Sequence, residues 1–421
     1  MIKGEKTYYI LVLGCQMNQS DSEKIEAILV DLGYTKSPDD QTADVIVVVA
    51  CSVKQAAIDR IDGKSNHYQA RRQRGELVTI LTGCVLASDQ QKFRQKFDIL
   101  LPIADINLIP AKLSALESSD LADYFDIIPK RESKFQAYVP IMTGCNNYCT
   151  FCVVPFTRGI EKHRPAKSII DECQNLIDQG YKEITLLGQN VNSYCDGDYD
   201  FPKLLKRLNE IAGDYWLRFT TSNPQDFSDD LIEVMKLGGH ITPYLHFAIQ
   251  SGDDEILKKM NRRHNVSHYI AILKKARQAI PNLMVSTDII VGFPSETEAA
   301  FNNTVKLFKQ IGYDMAYISQ YSARAGTPSA KLMTDDVSKD DKVRRDKYLN
   351  AILAQGAKKN NEAYIGRTVK VLVEGRKRGR LYGKTDTFKT VYMVSDKNLT
   401  GEFVKVKILS VDSWSLYGPI V

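Results

Sequence analysis

The 421-residue sequence predicts an α/β protein in three parts: an N-terminal parallel-sheet α/β domain, a partial (β/α)6 barrel and a small all-β, OB-like barrel. Three observations carry that prediction. Over roughly the first hundred residues, short apolar runs rich in β-branched side chains alternate with polar, helix-compatible stretches, the pattern of a parallel sheet covered on both faces. The alternation resumes at Ala137 with a longer repeat, giving six β–α units in about 190 residues, fewer than the roughly 250 of an eight-unit barrel. Beyond Ala363 the chain turns to short alternating strands with glycine-containing turns, the signature of a small β-barrel.

Taken in order, Tyr8–Leu13, Val45–Ala50, Leu77–Thr82 and Asp98–Ile103 are the first strand candidates, with Ser20–Leu32 as a helix between them. The charged stretch Pro110–Lys134 opens on proline and predicts a linker with a single helical turn. The expected barrel strands are Ala137–Met142, Glu183–Leu187, Trp216–Thr221, Tyr244–Gln250, Leu283–Val291 and Met315–Tyr321. Amphipathic helices are expected at Ser168–Gln179, Phe201–Ile211, Asp229–Leu237, His268–Ala279 and Glu296–Gln310, and a charged helix at Ser338–Ala363. Val369–Glu374, Phe388–Val394 and Phe403–Leu409 are the C-terminal strands. The expected boundaries are 1–115, a linker over 116–136, 137–363 and 364–421.

Composition narrows the class. Apolar residues at 43% and charged residues at 25% are ordinary for a soluble globular protein. No apolar run approaches the roughly 18–20 residues of a membrane helix. Val12-Leu13-Gly14-Cys15 looks like a lipoprotein processing site, but the apolar run before it is shorter than the roughly 7–15 residues of a signal core. A buried strand and a cytoplasmic protein are expected instead. Eight cysteines are too sparse for a disulfide scaffold. The net charge is +5, and residues 361–421 alone hold 11 basic and 6 acidic side chains, so the basic character sits at the C-terminus.

The strongest chemical signal is Cys145-Asn-Asn-Tyr-Cys149-Thr-Phe-Cys152, directly after the first barrel strand. Three thiolates so close can wrap a four-iron cluster and leave one iron without a protein ligand. A closed zinc site wants four ligands, and the nearest histidine, His163, lies eleven residues on. The second signal is positional. Cys15, Cys51 and Cys84 each follow a different N-terminal strand, and parallel strands end along one edge, where ligands bind. Gly14 and Gly83 precede two of them. From the residues alone, a second cluster and three coincidental core cysteines both remain open. Cys173, within an amphipathic helix, and Cys195, in a polar loop, are expected to be a core and a loop residue.

With these motifs the chain resembles the radical S-adenosylmethionine (SAM) methylthiotransferases over almost its full length, in particular the branch that modifies tRNA. The resemblance rests on the Cys-x3-Cys-x2-Cys run and on Gly-Cys-Gln-Met-Asn-Gln-Ser-Asp-Ser-Glu (14–23), Cys-Ser-Val (51–53) and Gly-Cys (83–84). Thr-Leu-Leu-Gly-Gln-Asn-Val-Asn-Ser-Tyr (185–194), Arg-Phe-Thr-Thr-Ser (218–222) and Gln-Ser-Gly (250–252) also match. So do Ser-Thr-Asp-Ile-Ile-Val-Gly-Phe-Pro (286–294) and Tyr-Ser-Ala-Arg-Ala-Gly-Thr-Pro (321–328). The C-terminal part resembles the RNA-binding TRAM module. Ala50, Ile160, His163 and the Phe247-Ala248 pair depart from the common pattern.

The resemblance implies two 4Fe-4S clusters and SAM as cofactors. Cys145, Cys149 and Cys152 would hold the cluster that binds SAM; Cys15, Cys51 and Cys84 would hold the second, which carries the sulfur. Phe151, Gln189, Asn190, Ser222, Gln250 and Asp288 would surround SAM. The implied reaction places a methylthio group at C2 of isopentenyl- or dimethylallyl-adenosine beside the anticodon, with two SAM per turnover. Sister enzymes modify threonylcarbamoyl-adenosine of tRNA or an aspartate of a small-subunit ribosomal protein. A metal-stabilised RNA-binding protein without catalysis is the non-enzyme alternative.

The expected partners are the tRNA anticodon stem-loop and a low-potential electron donor such as flavodoxin or ferredoxin; the sulfur donor is not specified, and a monomer off the membrane is expected. Arg376, Lys377, Arg378, Arg380, Lys384 and Lys389, with Tyr382, Phe388 and Tyr392 interleaved, suit a single-stranded RNA loop. The run Arg71-Arg72-Gln73-Arg74 is expected to be a solvated helix end. Removal of residues 365–421 is expected to weaken tRNA binding while sparing SAM cleavage.

Overall fold

A computed structural model describes residues 6–53, 55–114 and 123–421. Residues 1–5, 54 and 115–122, parts of the expected N-terminal domain and linker, lie outside that description. The chain packs into two compact units built from discontinuous segments. The first gathers Met1–Glu132, Met142–Arg164 and Ser322–Met333; the second gathers Ser133–Ile141, Pro165–Tyr321 and Thr334–Val421.

The first unit is built on a parallel sheet in the order Thr35–Lys36, Thr7–Val12, Val45–Cys51, Val78–Cys84, Ile99–Leu100. The central strand shows why its sequence is a continuous apolar run. Successive side chains of a strand point to opposite faces. Val45, Val47 and Val49 therefore enter one core with Tyr8, Ile25 and Leu29, while Ile46, Val48 and Ala50 enter the other with Ile58, Ile61 and Tyr68. Tyr8 belongs to the neighbouring strand, and helices Gln16–Asp31 and Gln55–Gln73 supply the other partners. The expected strand Asp98–Ile103 shrinks to Ile99–Leu100, because Pro102 has no N–H to continue the ladder and starts a 3-10 helix, Ile103–Leu108. Beyond residue 122 the expected linker packs closely: Tyr124 is buried in the first of these cores, and Lys130 N–H donates to Glu23 O at 2.9 Å.

The second unit holds six parallel strands in sequence order: Gln136–Pro140, Glu183–Leu187, Trp216–Phe219, Tyr244–His246, Met284–Val291 and Met315–Gln320. Single bridges Leu217–Ile241 and Ser222–Phe247 join the third strand to the fourth, making one open arc, a partial barrel. Helices Ala166–Asp178, Phe201–Asn209, Asp229–Lys236, Val266–Ala279 and Glu298–Ile311 intervene. Asp200, Ser228, Asn265 and Thr297 cap four of them by accepting the N3 backbone N–H, as their short polar side chains favour. Two strands end earlier than expected: the third stops at Phe219, just before Thr221 turns left-handed at φ +71°, and beyond His246 the fourth continues only as single bridges at Phe247 and at Gln250, whose φ is +78°. The helix Lys339–Glu362 follows.

The C-terminal sheet runs Phe403–Lys407, Thr368–Lys377, Arg380–Thr385, Thr390–Met393, Ser415–Tyr417, Ser410–Val411. Residues 419–421 return to pair with Phe403–Lys407, through Lys407 N–H to Pro419 O and Val421 N–H to Lys405 O, which closes the sheet into a barrel. Val371, Val373, Leu381, Val391, Val406 and Leu416 fill it. The expected strand at Phe388–Val394 begins only at Thr390, since Phe388 sits in a turn with φ +63°.

Candidate functional site

In the first unit the three N-terminal cysteines share one sheet edge. Cys51 and Cys84 are the last residues of neighbouring strands and stand directly opposite in register. Cys15 lies just past the adjoining strand and starts the helix Gln16–Asp31, where its Sγ contacts Asn18 Oδ1 at 3.6 Å. Gly83 makes the approach of the strands possible: at φ +107°, a Cβ there would fall 2.3 Å from Ala50 O. Its constraint is thus the neighbouring strand. Burial pushes the Cys51 thiol up to about 12, and the nearby Cys84 and Cys15 sulfurs add to the effect, so the three lie within electrostatic reach of one another.

The loop Met142–Arg164 is tied off at its base by the antiparallel pair Met142–Thr143 and Lys162–His163. Within it Cys145 N–H donates to Gly159 O at 3.2 Å, and Cys152 N–H to Cys149 O at 2.9 Å. Asn146 and Glu161 exchange side-chain-to-backbone bonds of 3.2 and 3.1 Å. Gly144, at φ +82°, has Ile160 O where a Cβ would sit, at 2.0 Å. Cys145 and Cys149 are buried, while Cys152 and Phe151 are half-buried. Burial raises the Cys145 thiol to about 11.

Both triads offer sulfur alone, three thiols each. Among the described residues no three His, Cys, Asp or Glu side chains are grouped closely enough to hold a single metal ion. A four-iron cluster takes each thiolate on a different iron and so accepts a wider triad. The donor chemistry fits such a cluster at both places, and three thiols would leave its fourth iron without a protein ligand.

Sequence reasoning missed two buried arginines that pin the outlying segments of this unit. Arg158, from the Met142–Arg164 loop, donates Nε–H to Cys84 Sγ at 3.0 Å and its Nη groups to Asp21. Arg324, from Ser322–Met333, donates to Asp89 at 3.0 Å and to Gln55; Asp89 also accepts from Ser52 Oγ at 2.6 Å. Arginine is mostly a surface residue, and no local pattern distinguished these two. The run Arg71–Arg74 ends the helix Gln55–Gln73 with Gln73 and Arg74 exposed, as expected, but Arg71 donates to Asp40 O and Ala43 O, and Arg72 to Asp98. Cys173 is buried in its helix and Cys195 is exposed.

In the second unit Gln189, Asn190, Ser222 and Gln250 lie past the C-terminal ends of barrel strands, whereas Asp288 lies within the strand Met284–Val291. Gln189 Oε1, Asn190 Oδ1 and Ser222 Oγ are buried atoms without a hydrogen-bond partner, and Asn223 Oδ1 beside them is another. Buried polar atoms are nearly always satisfied, so a row of orphans on two adjacent loops marks a place for a polar ligand. Asn190 is held by its amide, which donates to Asp226 at 2.7 Å. Gln250 is set by its left-handed backbone and by N–H donation to Asp288 O at 2.9 Å. Asp288 itself meets His246 Nε2 at 3.1 Å, and His246 Nδ1 meets Ser286 Oγ at 2.8 Å.

The six basic candidates of the C-terminal barrel divide. Lys377, Arg378 and Arg380 are exposed at a hairpin tip, around the two-residue turn Arg378-Gly379. Arg376 is exposed, but its guanidinium clamps that turn by donating to Gly379 O and Ser395 O. Lys384 and Lys389 point elsewhere. Lys389 is 5% exposed and pairs with Asp314 at 2.7 Å. Lys384 donates to Thr390 Oγ1 at 2.7 Å, and burial lowers its pKa. Neither is presented to a phosphate: Lys389 sits in the loop between Arg380–Thr385 and Thr390–Met393, which packs on the α/β barrel, and Lys384, in the strand before it, lies over the Phe388 ring at 4.9 Å. Phe388 of that loop stacks on Tyr244 at 4.8 Å. Tyr382, Tyr392 and Tyr417 instead stand opposite one another on three neighbouring strands, on the outer face, with centroids 6.4 and 5.7 Å apart.

Six parallel β/α units, the first strand followed in the chain by a Cys-x3-Cys-x2-Cys loop, define the class, a radical SAM enzyme, whose cofactors are SAM and a 4Fe-4S cluster. Three family models match: Radical SAM superfamily over residues 139–308, Uncharacterized protein family UPF0004 over 7–102, and TRAM domain over 362–421. A Clostridium botulinum (strain Langeland) tRNA-2-methylthio-N(6)-dimethylallyladenosine synthase is 39% identical over 436 residues, covering 98% of this chain and 96% of its own. The synthase of Bacillus cereus (strain ZK) is 38% identical over 439 residues, covering 99% and 86%. A solved radical SAM methyltransferase, TsrM from Kitasatospora setae, shares the fold at TM-score 0.58 with 12% identity, over 77% of each chain. The chain belongs to the family of tRNA-2-methylthio-N(6)-dimethylallyladenosine synthases. No helix among the described residues is long and apolar enough to cross a membrane.

Proposed function

We propose that this enzyme inserts a methylthio group at C2 of N6-dimethylallyladenosine beside the anticodon of tRNA, using two SAM per turnover. The observation that carries the reading is the second cysteine triad, Cys15, Cys51 and Cys84, on one edge of the N-terminal sheet. A radical SAM enzyme needs one cluster; a second all-sulfur donor set with an open position suits an enzyme that also delivers sulfur. Residues 1–115 would carry that second cluster, 137–363 the SAM chemistry and 364–421 the RNA contact.

Cys145, Cys149 and Cys152 would hold the cluster that engages SAM. Bound there, the cofactors supply the one-electron chemistry that an unactivated aromatic C–H demands and no side chain provides. The protein binds and orients. The orphaned atoms of Gln189, Asn190 and Ser222 offer acceptors for the amino and hydroxyl groups of SAM, with Gln250 and Asp288 alongside and Phe151 packing beside the cluster. Lys377, Arg378 and Arg380 would meet phosphates, and the row Tyr382, Tyr392 and Tyr417 would stack bases. A low-potential electron donor is required by the chemistry.

The deciding measurement is mass spectrometry of tRNA from a strain lacking this gene, with and without the gene restored. The 2-methylthio form of dimethylallyladenosine should vanish on deletion and return on restoration; unchanged levels would reject the substrate. Replacing Lys377, Arg378 and Arg380 together by alanine should flatten the salt dependence of tRNA binding by about 2 in log–log slope, at about 0.7 per phosphate contact on a single strand. An unchanged slope would exclude the hairpin tip from the RNA interface.

A further inference from the structure

Arg158 stands six residues after Cys152, just past the helical turn Val154–Thr157, with its side chain 1% exposed. A guanidinium so buried is strongly unfavourable unless its charge is balanced and its donors are used. Asp21, 0% exposed, takes both Nη groups. That carboxylate is fixed in turn by the Tyr124 hydroxyl at 2.7 Å and the Asn18 amide at 3.4 Å. Asn18 also donates to Ala50 O and accepts from Cys15 N–H, each at 3.4 Å. The network therefore touches Cys15, the residue before Cys51, and Cys84.

The ion pair alone does not account for this geometry. Two parallel bonds to a carboxylate can be made by Nε with one Nη or by both Nη groups. Here the pair is made end-on, and Nε is left aimed at the Cys84 sulfur at 3.0 Å.

We propose that Arg158 is a positioning residue of the second cluster: its Nε–H fixes the Cys84 sulfur, and its charge, tempered by Asp21, sets the reduction potential of the cluster held by Cys15, Cys51 and Cys84. This rests on the two-cluster reading above. Hydrogen bonds to cluster sulfurs and nearby charge are the protein's means of tuning such potentials. A positive charge favours the reduced cluster, which carries one more electron. Arg158→Gln removes that charge and lowers the potential. Asp21→Asn removes the balancing charge, leaves Arg158 in place and raises it.

The test uses the full-length chain with Cys145, Cys149 and Cys152 changed to alanine, reconstituted anaerobically with iron and sulfide and titrated by electron paramagnetic resonance. Opposite shifts in the two variants, with Arg158→Lys between Arg158→Gln and the parent, are the expected result. Loss of the cluster from Arg158→Gln with an upward shift in Asp21→Asn also supports the proposal, since it separates the positioning role from the charge. Coincident potentials, or shifts of one sign in both variants, overturn it. Absence of any cluster from the parent would instead overturn the two-cluster reading, and this inference with it.

Discussion

Changing Arg218 to methionine is expected to destabilise the second unit by about 3–5 kcal/mol, the cost of stranding one member of a buried ion pair. Arg218 is among the largest fully buried side chains and uses four bonds. It donates to Glu183 at 2.6 Å, Thr242 Oγ1 at 3.3 Å, Asp386 O at 2.7 Å and Thr385 O at 2.8 Å. Its guanidinium lies 5.0 Å from both the Trp216 and Phe388 ring centroids. Two of those acceptors belong to the C-terminal barrel, so this arginine latches the loop between Arg380–Thr385 and Thr390–Met393 onto the α/β barrel. Denaturant midpoints of the wild-type and R218M chains, prepared alike, measure the loss. Changing Glu183 to leucine in the same chain should recover part of it, because the stranded carboxylate is then gone. A loss below about 1 kcal/mol, typical of an exposed pair, would show that the latch contributes little.

The latch also corrects the expected effect of removing residues 365–421. That deletion takes away Thr385 and Asp386, both carbonyl partners of Arg218, together with Phe388 over Tyr244 and Lys389 against Asp314. It would leave buried charges unpaired in the second unit as well as removing the proposed RNA contacts. Point changes at Lys377, Arg378 and Arg380 separate the two effects.

What the sequence disclosed follows from which forces act locally. Strand identity was legible at Val45–Cys51 because burial on both faces demands an unbroken apolar run, whereas the register that sets Cys51 opposite Cys84 is fixed by the pairing of two strands and is not written in either run. The ends of barrel strands were less legible. Thr221 and Gln250 are ordinary strand residues by composition, and their left-handed backbone is imposed by the tertiary structure. Charged residues were the least legible. Arg158, Arg218 and Lys389 share a residue type with the exposed hairpin tip, and only partners distant in sequence decide that they turn inward. Tyr417 was missed for the same reason: its place beside Tyr392 depends on a parallel pairing between strands far apart in the chain.

Changing Cys15, Cys51 and Cys84 together to alanine is expected to abolish methylthiolation of tRNA while SAM cleavage continues. The Met142–Arg164 loop carries its own closures, the Cys145–Gly159 backbone bond and the Asn146–Glu161 exchange, and none of them involves the N-terminal cysteines. Iron should fall from about eight to about four atoms per chain, one 4Fe-4S cluster instead of two. The change also removes the Cys84 Sγ that accepts the buried Arg158 Nε–H at 3.0 Å, so the denaturant midpoint of the variant is measured alongside its activity. The reciprocal change at Cys145, Cys149 and Cys152 should leave about four irons but end both SAM cleavage and methylthiolation. Iron content, 5′-deoxyadenosine release and mass spectrometry of the tRNA separate the two triads. Methylthiolated product from the N-terminal variant would mean that sulfur arrives without those cysteines, and the sheet edge would lose its assigned part in the reaction.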